Sequence, residues 1–243
     1  MSTKARFLHR ARRTFMHLRR RLYGLRACIP GLRERHHLES MVGPLGFWDE
    51  LQCYQLHVLC ANGLKPEHSL LDIGCGPLQG GVVYIRYLNA NRYTAIDIEP
   101  RRINTAYTQV SQHELGAKNP RIILSRSFGE EVFANESFDF MWASQILYYF
   151  DDALMGRLLQ FMGKRLNPGG KFLGDIFSPD HYEFKYPENP GRYVRHTPES
   201  IEALTRKHGL QAHCLGPIAN FQYPKKLSLR TNLLMEITRQ PTR

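Results

Sequence analysis

The feature that most constrains the fold is a glycine-rich turn directly after a short apolar run, "LLDIGCGPLQGG" at residues 70–81. Four further runs, at 92–98, 121–126, 138–144 and 170–177, are also apolar and short enough to be buried strands. Segments with helical spacing separate most of these runs. Strands that alternate with helices in this way predict a parallel sheet with helices on both faces.

The helical segments and the end of the chain complete this pattern. The segments between the strands are residues 80–88, 100–115 and 151–166. Thr197 and Pro198 are typical of a helix start, and that helix is predicted to end near Gly209. Strand-like runs at 211–216 and 232–239 follow. We therefore predict a Rossmann-like, doubly wound, mostly parallel sheet of seven strands.

The net charge of +11 is concentrated at one end of the chain. Residues 1–36 hold Lys4 and ten arginines against the single acid Glu34, so the rest of the chain is nearly neutral. Apolar residues in this end recur mostly at steps of three and four: Phe7, Leu8, Ala11, Phe15, Leu18, Leu22 and Leu25. We predict a basic amphipathic helical arm within residues 1–40, which ends at Pro30-Gly31, and one folded domain over 41–243.

Several roles are open for residues 1–36. An Arg-rich helix with an apolar stripe suits the surface of an anionic membrane, an RNA, or packing on the protein's own body as a lid. An arginine-rich, acid-poor start is also typical of a mitochondrial targeting sequence. No apolar run approaches the roughly 20 residues that a membrane span needs, and no signal peptide is evident. We expect a cytoplasmic protein that can associate with a membrane surface.

The five cysteines are scattered and include no C-x-x-C pair. An odd number without regular spacing favours reduced thiols over a disulfide framework or a zinc site. The sequence also has no acidic cluster typical of a metal-dependent enzyme, so we expect no metal.

A carboxylate at the mouth of a glycine-rich turn restricts the charge of its ligand. Ionised Asp72 would repel the phosphates of a dinucleotide, and Gln79 stands where the dinucleotide fingerprint requires a third glycine. S-adenosylmethionine instead is positive at its ammonium and its sulfonium groups. About 21 residues beyond Gly76, Asp97 lies near the end of the second strand, where a carboxylate can accept hydrogen bonds from ribose hydroxyls. Together these features favour S-adenosylmethionine over NAD.

Residues 69–177 resemble a class I S-adenosylmethionine-dependent methyltransferase, on the motifs "LLDIGCG", "YTAIDIEP", "ESFDFMWAS" and "RLNPGGKFLGD". The cofactor-binding residues that the resemblance implies are Asp72, Gly74, Cys75, Gly76, Asp97, Ile98, Ser127, Phe128 and Ser144. Asp97 would hold the ribose, and Ile98 would pack on the adenine. Ser127 departs from the family pattern, because many relatives have an acid there that reaches the adenine amino group.

The resemblance places the methyl acceptor over the ends of the fourth and fifth strands. The candidate substrate-binding residues are Gln145, Tyr148 and Asp180, and the candidate catalytic residues are His181 and Tyr149. His181, next to an acid, is the candidate base for an acceptor whose proton is tightly held, such as a sugar hydroxyl. Tyr149 stands where many small-molecule methyltransferases have a histidine. A solvated loop histidine and a core "YYF" segment are the structural alternatives.

The predicted reaction is O-methylation of a small molecule or of a sugar in a glycan or glycolipid. Two alternatives remain open at this point: an RNA methyltransferase that holds its substrate with the Arg-rich arm, and a non-catalytic adaptor that binds S-adenosylmethionine. No N-P-P-Y tetrapeptide follows the fourth strand, which disfavours an amino-directed DNA methyltransferase. Trp48, in "GFWDE", either closes over the methionine end of the cofactor or anchors the helix predicted at 47–62.

Overall fold

A computed structural model describes residues 30–178 and 193–240 of the chain. The chain divides into two compact units, Met1–Trp48 and Asp49–Arg243. The predicted apolar stripe of the arm lies within residues 1–29, outside the described residues.

The described part of the first unit is built around helix α1, Pro30–Val42. The carboxylate of Glu39 accepts a hydrogen bond from the Gly46 N–H (2.8 Å), and the Arg35 guanidinium lies 5.7 Å from the centroid of the Trp48 ring. The helix that the sequence predicted to end at Pro30-Gly31 lies outside the described residues. Pro30 is itself the first residue of α1, a position that its fixed φ favours. The predicted boundary between arm and folded domain, at residue 40, falls inside α1. The division into these two parts stays a prediction.

The second unit contains one sheet and most of the helices. The strands are β1 (Leu70–Ile73), β2 (Tyr93–Asp97), β3 (Arg121–Leu124), β4 (Phe138–Ala143), β5 (Leu166–Ile176), β6 (Leu210–Pro217) and β7 (Leu233–Arg239). The helices that follow α1 along the chain are α2 (Trp48–Ala61), α3 (Gly81–Tyr87), α4 (Pro100–Gln112), α5 (Glu130–Phe133), α6 (Asp152–Arg165) and α7 (Pro198–Arg206). The alternation predicted from the sequence is present throughout, with the short helix α5 as an addition.

The seven strands lie in the order β3-β2-β1-β4-β5-β7-β6. β7 is antiparallel to both of its neighbours, and the other strands are parallel to one another. The strand order changes direction between β1 and β4, and sheets of this kind bind ligands in the crevice at the carboxyl ends of the strands beside such a point. The predicted Rossmann-like, mostly parallel seven-stranded sheet is confirmed.

Burial explains why these segments form strands. Every residue of β1 and of β2 is buried, as expected for central strands with helices on both faces. The largest fully buried side chains include Trp142 of β4 and Phe172 of β5. Within the described residues, every helix is too short or too polar to span a lipid bilayer.

The register between β4 and β5 shifts near their starts. Leu166 pairs with Phe138 and Lys171 pairs with Phe140, so Asn167–Gly170 form a bulge. These four residues were predicted as a turn, and Gly169 has a φ of 78°. The bulge fixes which residues of β5 reach the carboxyl edge of the sheet, where Asp175 lies.

Candidate active site

The glycine-rich turn joins β1 to α3 at the carboxyl edge of the sheet. Gly74 and Gly76 have φ of 75° and 54°, a region that favours glycine. The N–H groups of Gly74 and Cys75 both donate to the carbonyl of Ile96 in β2 (2.8 and 3.2 Å). A Cβ on Gly74 would lie 2.8 Å from Cδ1 of Ile146, so this turn passes close to the loop that follows β4.

The second pair of glycines allows close packing at the start of α3. A Cβ on Gly80 would collide with the side chains of Gln55 and Tyr84, and one on Gly81 would lie 2.6 Å from the hydroxyl of Tyr93. Gly80 and Gly81 therefore allow α3 to pack closely on α2 and β2. This packing explains the position of the two glycines, and no dinucleotide ligand is needed to explain it.

Asp72 is a buried carboxylate in β1, with 5% of its surface exposed. Its Oδ2 accepts a hydrogen bond from the Tyr93 hydroxyl (2.7 Å). Burial, followed by the charge of Asp97, raises the pKa of Asp72 to about 7, although the bond from Tyr93 opposes the rise. Without a cation nearby, Asp72 is therefore partly protonated at neutral pH, and a cationic ligand would favour its ionised form.

Asp97 ends β2, with 4% of its surface exposed, and its side chain contacts the glycine turn. Its Oδ2 accepts from the N–H of Gly76 and its Oδ1 from the N–H of Glu99, both at 2.9 Å. Arg102 Nη1 lies 3.8 Å from Oδ2. A carboxylate offers about four lone-pair sites, so Asp97 can hold the turn and still accept hydrogen bonds from ribose hydroxyls.

The predicted adenine-side residues separate into two groups. Ile98, next to Asp97, is 55% exposed and offers an apolar surface to a flat ring. Phe128 instead is half-buried and packs on Phe161 of α6 at the side of the core, with ring centroids 5.7 Å apart. Ser127 donates to the Glu131 carboxylate (2.6 Å), which lowers the pKa of Glu131. Glu131, in α5, is therefore an acid that the sequence analysis missed, four residues beyond Ser127, the position where an acid was sought.

Two further predicted residues have mainly structural surroundings. Cys75 is buried, and its Sγ lies 3.5 Å from the carbonyl of Gly76; burial raises the pKa of this thiol well above its usual range, which disfavours a reactive thiolate. Trp48 is 4% exposed at the start of α2, which supports the anchoring role.

The loop after β4 is bonded to β5 and to the segment that precedes β7. Gln145 has a φ of 57°, and its N–H donates to Oδ1 of Asp175 (2.7 Å). Its side-chain amide donates to the hydroxyl of Tyr223 (3.1 Å). The Oγ of Ser144 is buried with no hydrogen-bond partner among the described residues. Asp175 and Tyr223 were not predicted, because nothing in their local sequence marks them.

Four aromatic side chains lie beside this loop. Tyr148 stacks on Phe177 with ring centroids 4.0 Å apart, and Tyr193 lies 5.3 Å from Tyr149. Tyr148 is buried, whereas Tyr149 is 50% exposed, so only the second can offer its ring to a ligand. Phe177 and Tyr193 lie on either side of residues 179–192, which are outside the described residues. The predicted site residues Asp180 and His181 belong to that segment.

The residues at this edge fit S-adenosylmethionine. Two carboxylates, Asp72 and Asp97, lie beside a turn whose glycines allow close approach, and an exposed isoleucine follows them. A cationic ligand would favour the ionised form of Asp72 and add to the negative charge at this site, whereas a pyrophosphate would gain no such attraction. The strand order and this site together define the class I methyltransferase fold.

A comparison with protein families agrees with this assignment. Residues 47–215, most of the chain, match the family model described as "Methyltransferase domain", and the chain therefore belongs to that family. The prediction of a class I, S-adenosylmethionine-dependent methyltransferase is confirmed. No curated protein sequence is a significant match to the chain.

Solved structures show the same fold at low sequence identity. An S-adenosylmethionine-dependent methyltransferase from Clostridium acetobutylicum ATCC 824 is 14% identical, with a TM-score of 0.62 over 86% of this chain and 98% of that one. The magnesium protoporphyrin IX methyltransferase of Synechocystis PCC 6803, solved with bound S-adenosylhomocysteine, is 10% identical, with a TM-score of 0.61 over 87% and 95%. The glycopeptide N-methyltransferase MtfA is 13% identical, with a TM-score of 0.58 over 78% and 90%.

Proposed function

We propose that this enzyme transfers the methyl group of S-adenosylmethionine to a hydroxyl group of a small molecule or of a sugar in a glycan or glycolipid. The observation that carries the proposal is the pair of carboxylates, Asp72 and Asp97, at a glycine turn beside the crevice of the sheet. The similar structures include a magnesium protoporphyrin and a glycopeptide methyltransferase, so the fold itself leaves the acceptor open.

The chain's own residues have distinct tasks in cofactor binding. The turn from Gly74 to Gly76 and the carboxylate of Asp72 bind the methionine part, Asp97 accepts from the ribose hydroxyls, and Ile98 packs on the adenine. When bound, the cofactor supplies a methyl group made electrophilic by the adjacent sulfonium. The protein mainly aligns the acceptor with this methyl group, because the displacement discharges the sulfonium and creates little new charge.

The acceptor side is supported by two features. The exposed ring of Tyr149, next to Tyr193, offers an aromatic surface to the apolar face of an acceptor. A hydroxyl acceptor must lose its proton while its oxygen bonds to the methyl carbon and the carbon–sulfur electron pair passes to sulfur. We assign the removal of that proton to His181.

Transfer of a labelled methyl group from S-adenosylmethionine tests this function. Phenols, free sugars and lipid-linked sugars are offered as acceptors, with amines and total RNA for comparison. We expect hydroxyl acceptors to be methylated, and His181→Ala to lower kcat by on the order of a hundredfold or more with S-adenosylhomocysteine affinity unchanged. An unchanged kcat would remove His181 from the mechanism, and methylation of RNA or amines alone would overturn the proposed acceptor class.

We also propose that residues 1–36 bring the enzyme to an anionic membrane surface, where a lipid-linked sugar would be found. RNA binding by this arm is disfavoured because the rest of the chain is nearly neutral. α1 begins at Pro30, so deletion of residues 1–29 leaves that helix whole. In co-sedimentation with anionic vesicles this deletion should abolish salt-sensitive binding, and in calorimetric titration it should preserve S-adenosylmethionine affinity. Full-length protein that ignores such vesicles at low salt would contradict the docking.

A further inference from the structure

A group of buried and half-buried polar side chains lies where β4 and β5 end and β7 begins, and the cofactor site does not account for it. We call it the Asp175 cluster, and its members are Tyr54, Ser144, Gln145, Asp175, Tyr223 and Asn232. Asn232 directly precedes β7, whose first residue pairs with the last residue of β5. The cluster therefore lies at the carboxyl edge of the parallel strands, the same edge as the glycine turn.

The centre of the cluster is a carboxylate without a counter-ion. Asp175 is fully buried, and it accepts one hydrogen bond from the N–H of Gln145 (2.7 Å) and one from the side-chain amide of Asn232 (2.8 Å). Within residues 30–178 and 193–240, no Lys, Arg or His forms a salt bridge with it. A buried carboxylate without a cation is costly, and a positively charged group bound nearby would offset that cost.

The cluster also contains polar atoms that lack partners. The Tyr54 hydroxyl, the Ser144 hydroxyl and the Asn232 amide oxygen are buried, and none has a hydrogen bond within the described part of the chain. Tyr54 meets Tyr223 edge-on, with ring centroids 4.9 Å apart. Since buried polar groups nearly always have hydrogen-bond partners, these three atoms indicate bound water or a polar ligand group.

The cluster lies next to the methionine side of the cofactor site. Gln145 precedes Ile146, whose side chain would be 2.8 Å from a Cβ on Gly74. The side chain of Ile146 thus lies beside the glycine turn, and the next residue back along the chain, Gln145, belongs to the cluster. A group held by Gln145 or Tyr223 would consequently lie close to the turn that the proposed function assigns to the methionine part of the cofactor.

We propose that the Asp175 cluster is the polar floor of the acceptor subsite, an inference that rests on the proposed methyl transfer to a hydroxyl. Gln145 and Tyr223 bind the acceptor's hydroxyl group, and their side chains determine specificity for it. Asp175 is a positioning residue: it fixes the backbone of Gln145 and, through Gln145, the hydroxyl of Tyr223. Its negative charge also stabilises positive charge at the position of the transferred methyl.

This assignment predicts a charge preference that can be measured without knowing the acceptor. Sinefungin carries an ammonium group where S-adenosylmethionine carries its sulfonium and methyl, and S-adenosylhomocysteine is uncharged there. Opposite charges attract strongly at short range in a partly buried site, so removal of the Asp175 charge should weaken sinefungin far more than S-adenosylhomocysteine.

The experiment is calorimetric titration of the full chain and its variants with sinefungin and S-adenosylhomocysteine. Asp175→Asn should weaken sinefungin binding about tenfold or more and change S-adenosylhomocysteine affinity less than about threefold. Glu236→Gln is the matched control, because Glu236 lies in β7 of the same sheet, away from the carboxyl edge. Its Oε2 accepts a hydrogen bond from Nζ of Lys171 (2.8 Å). This control should leave both affinities unchanged.

A second variant keeps the test decisive if Asp175→Asn fails to fold. Tyr223→Phe preserves the ring and removes only the hydroxyl, and it should lower kcat/KM for the hydroxyl acceptor about tenfold or more with S-adenosylhomocysteine affinity retained. Equal weakening of both ligands in Asp175→Asn, or unchanged turnover in Tyr223→Phe, would overturn the subsite. Absence of binding of either ligand to the unmodified chain would instead contradict the proposed function.

Discussion

Replacement of Asp97 by alanine is expected to weaken the binding of S-adenosylmethionine and of S-adenosylhomocysteine by roughly tenfold to a thousandfold. A hydrogen bond to a charged acceptor is worth about 1.5 to 3 kcal/mol, and Asp97 can accept from one or two ribose hydroxyls. The same carboxylate accepts a hydrogen bond from the N–H of Gly76 (2.9 Å), so the substitution also removes a contact that holds the glycine turn. Calorimetric titration with both ligands measures the effect.

Asp139→Ala is the matched control for this variant. Asp139 also accepts a hydrogen bond from a backbone N–H, that of Ser69 (2.8 Å), and a second from the Asn167 side chain, but it lies at the amino ends of the strands. This control should lower the free energy of unfolding and leave cofactor affinity unchanged. If Asp97→Ala remains folded and binds both ligands normally, Asp97 does not hold the ribose.

Asp72→Asn is expected to stabilise the ligand-free protein in a manner that depends on pH. The folded-state pKa of Asp72, about 7, exceeds the unfolded value of about 3.9, so the folded state retains the proton to higher pH. The stability of the unmodified protein therefore falls as pH rises from about 4 through about 7. Asparagine carries no such proton, and its amide oxygen can still accept from Tyr93.

The stability advantage of Asp72→Asn should consequently grow by on the order of 3 kcal/mol between pH 5 and pH 8. Denaturant unfolding at the two pH values measures it, with Asp152→Asn in the exposed first turn of α6 as the control. The variant should also bind S-adenosylmethionine more weakly at pH 8, because the carboxylate that favours a cation is gone. A stability difference that is the same at both pH values would contradict the raised pKa.

The sequence was informative where periodicity and turn chemistry act locally. Alternating apolar runs predicted all seven strands, and positive φ at Gly74 and Gly76 agrees with the expected turn. Asp72 and Asp97 were identified because each ends or nearly ends a strand, and parallel strands bring those positions to one edge. Helix α1 was missed because Pro30 was taken only as the end of a preceding helix.

The acceptor side depends on contacts between distant parts of the chain. Gln145 is bonded to Asp175 30 residues away and to Tyr223 78 residues away, contacts that depend on how β4, β5 and β7 pair. No local pattern reveals such pairing. Phe128 illustrates a second limit, because an aromatic side chain in a loop suits a ligand and a core equally, and its packing on Phe161 cannot be read from the local sequence.

The central claim is that the carboxylates at the glycine turn select a cationic methyl donor over a dinucleotide. Calorimetric titration of the unmodified chain with S-adenosylmethionine, S-adenosylhomocysteine and NAD tests it most directly. We expect both sulfur ligands to bind with Kd on the order of micromolar, and NAD to bind at least a hundredfold more weakly because Asp72 and Asp97 oppose a pyrophosphate. Tight binding of NAD, or no binding of the two sulfur ligands, would contradict the account.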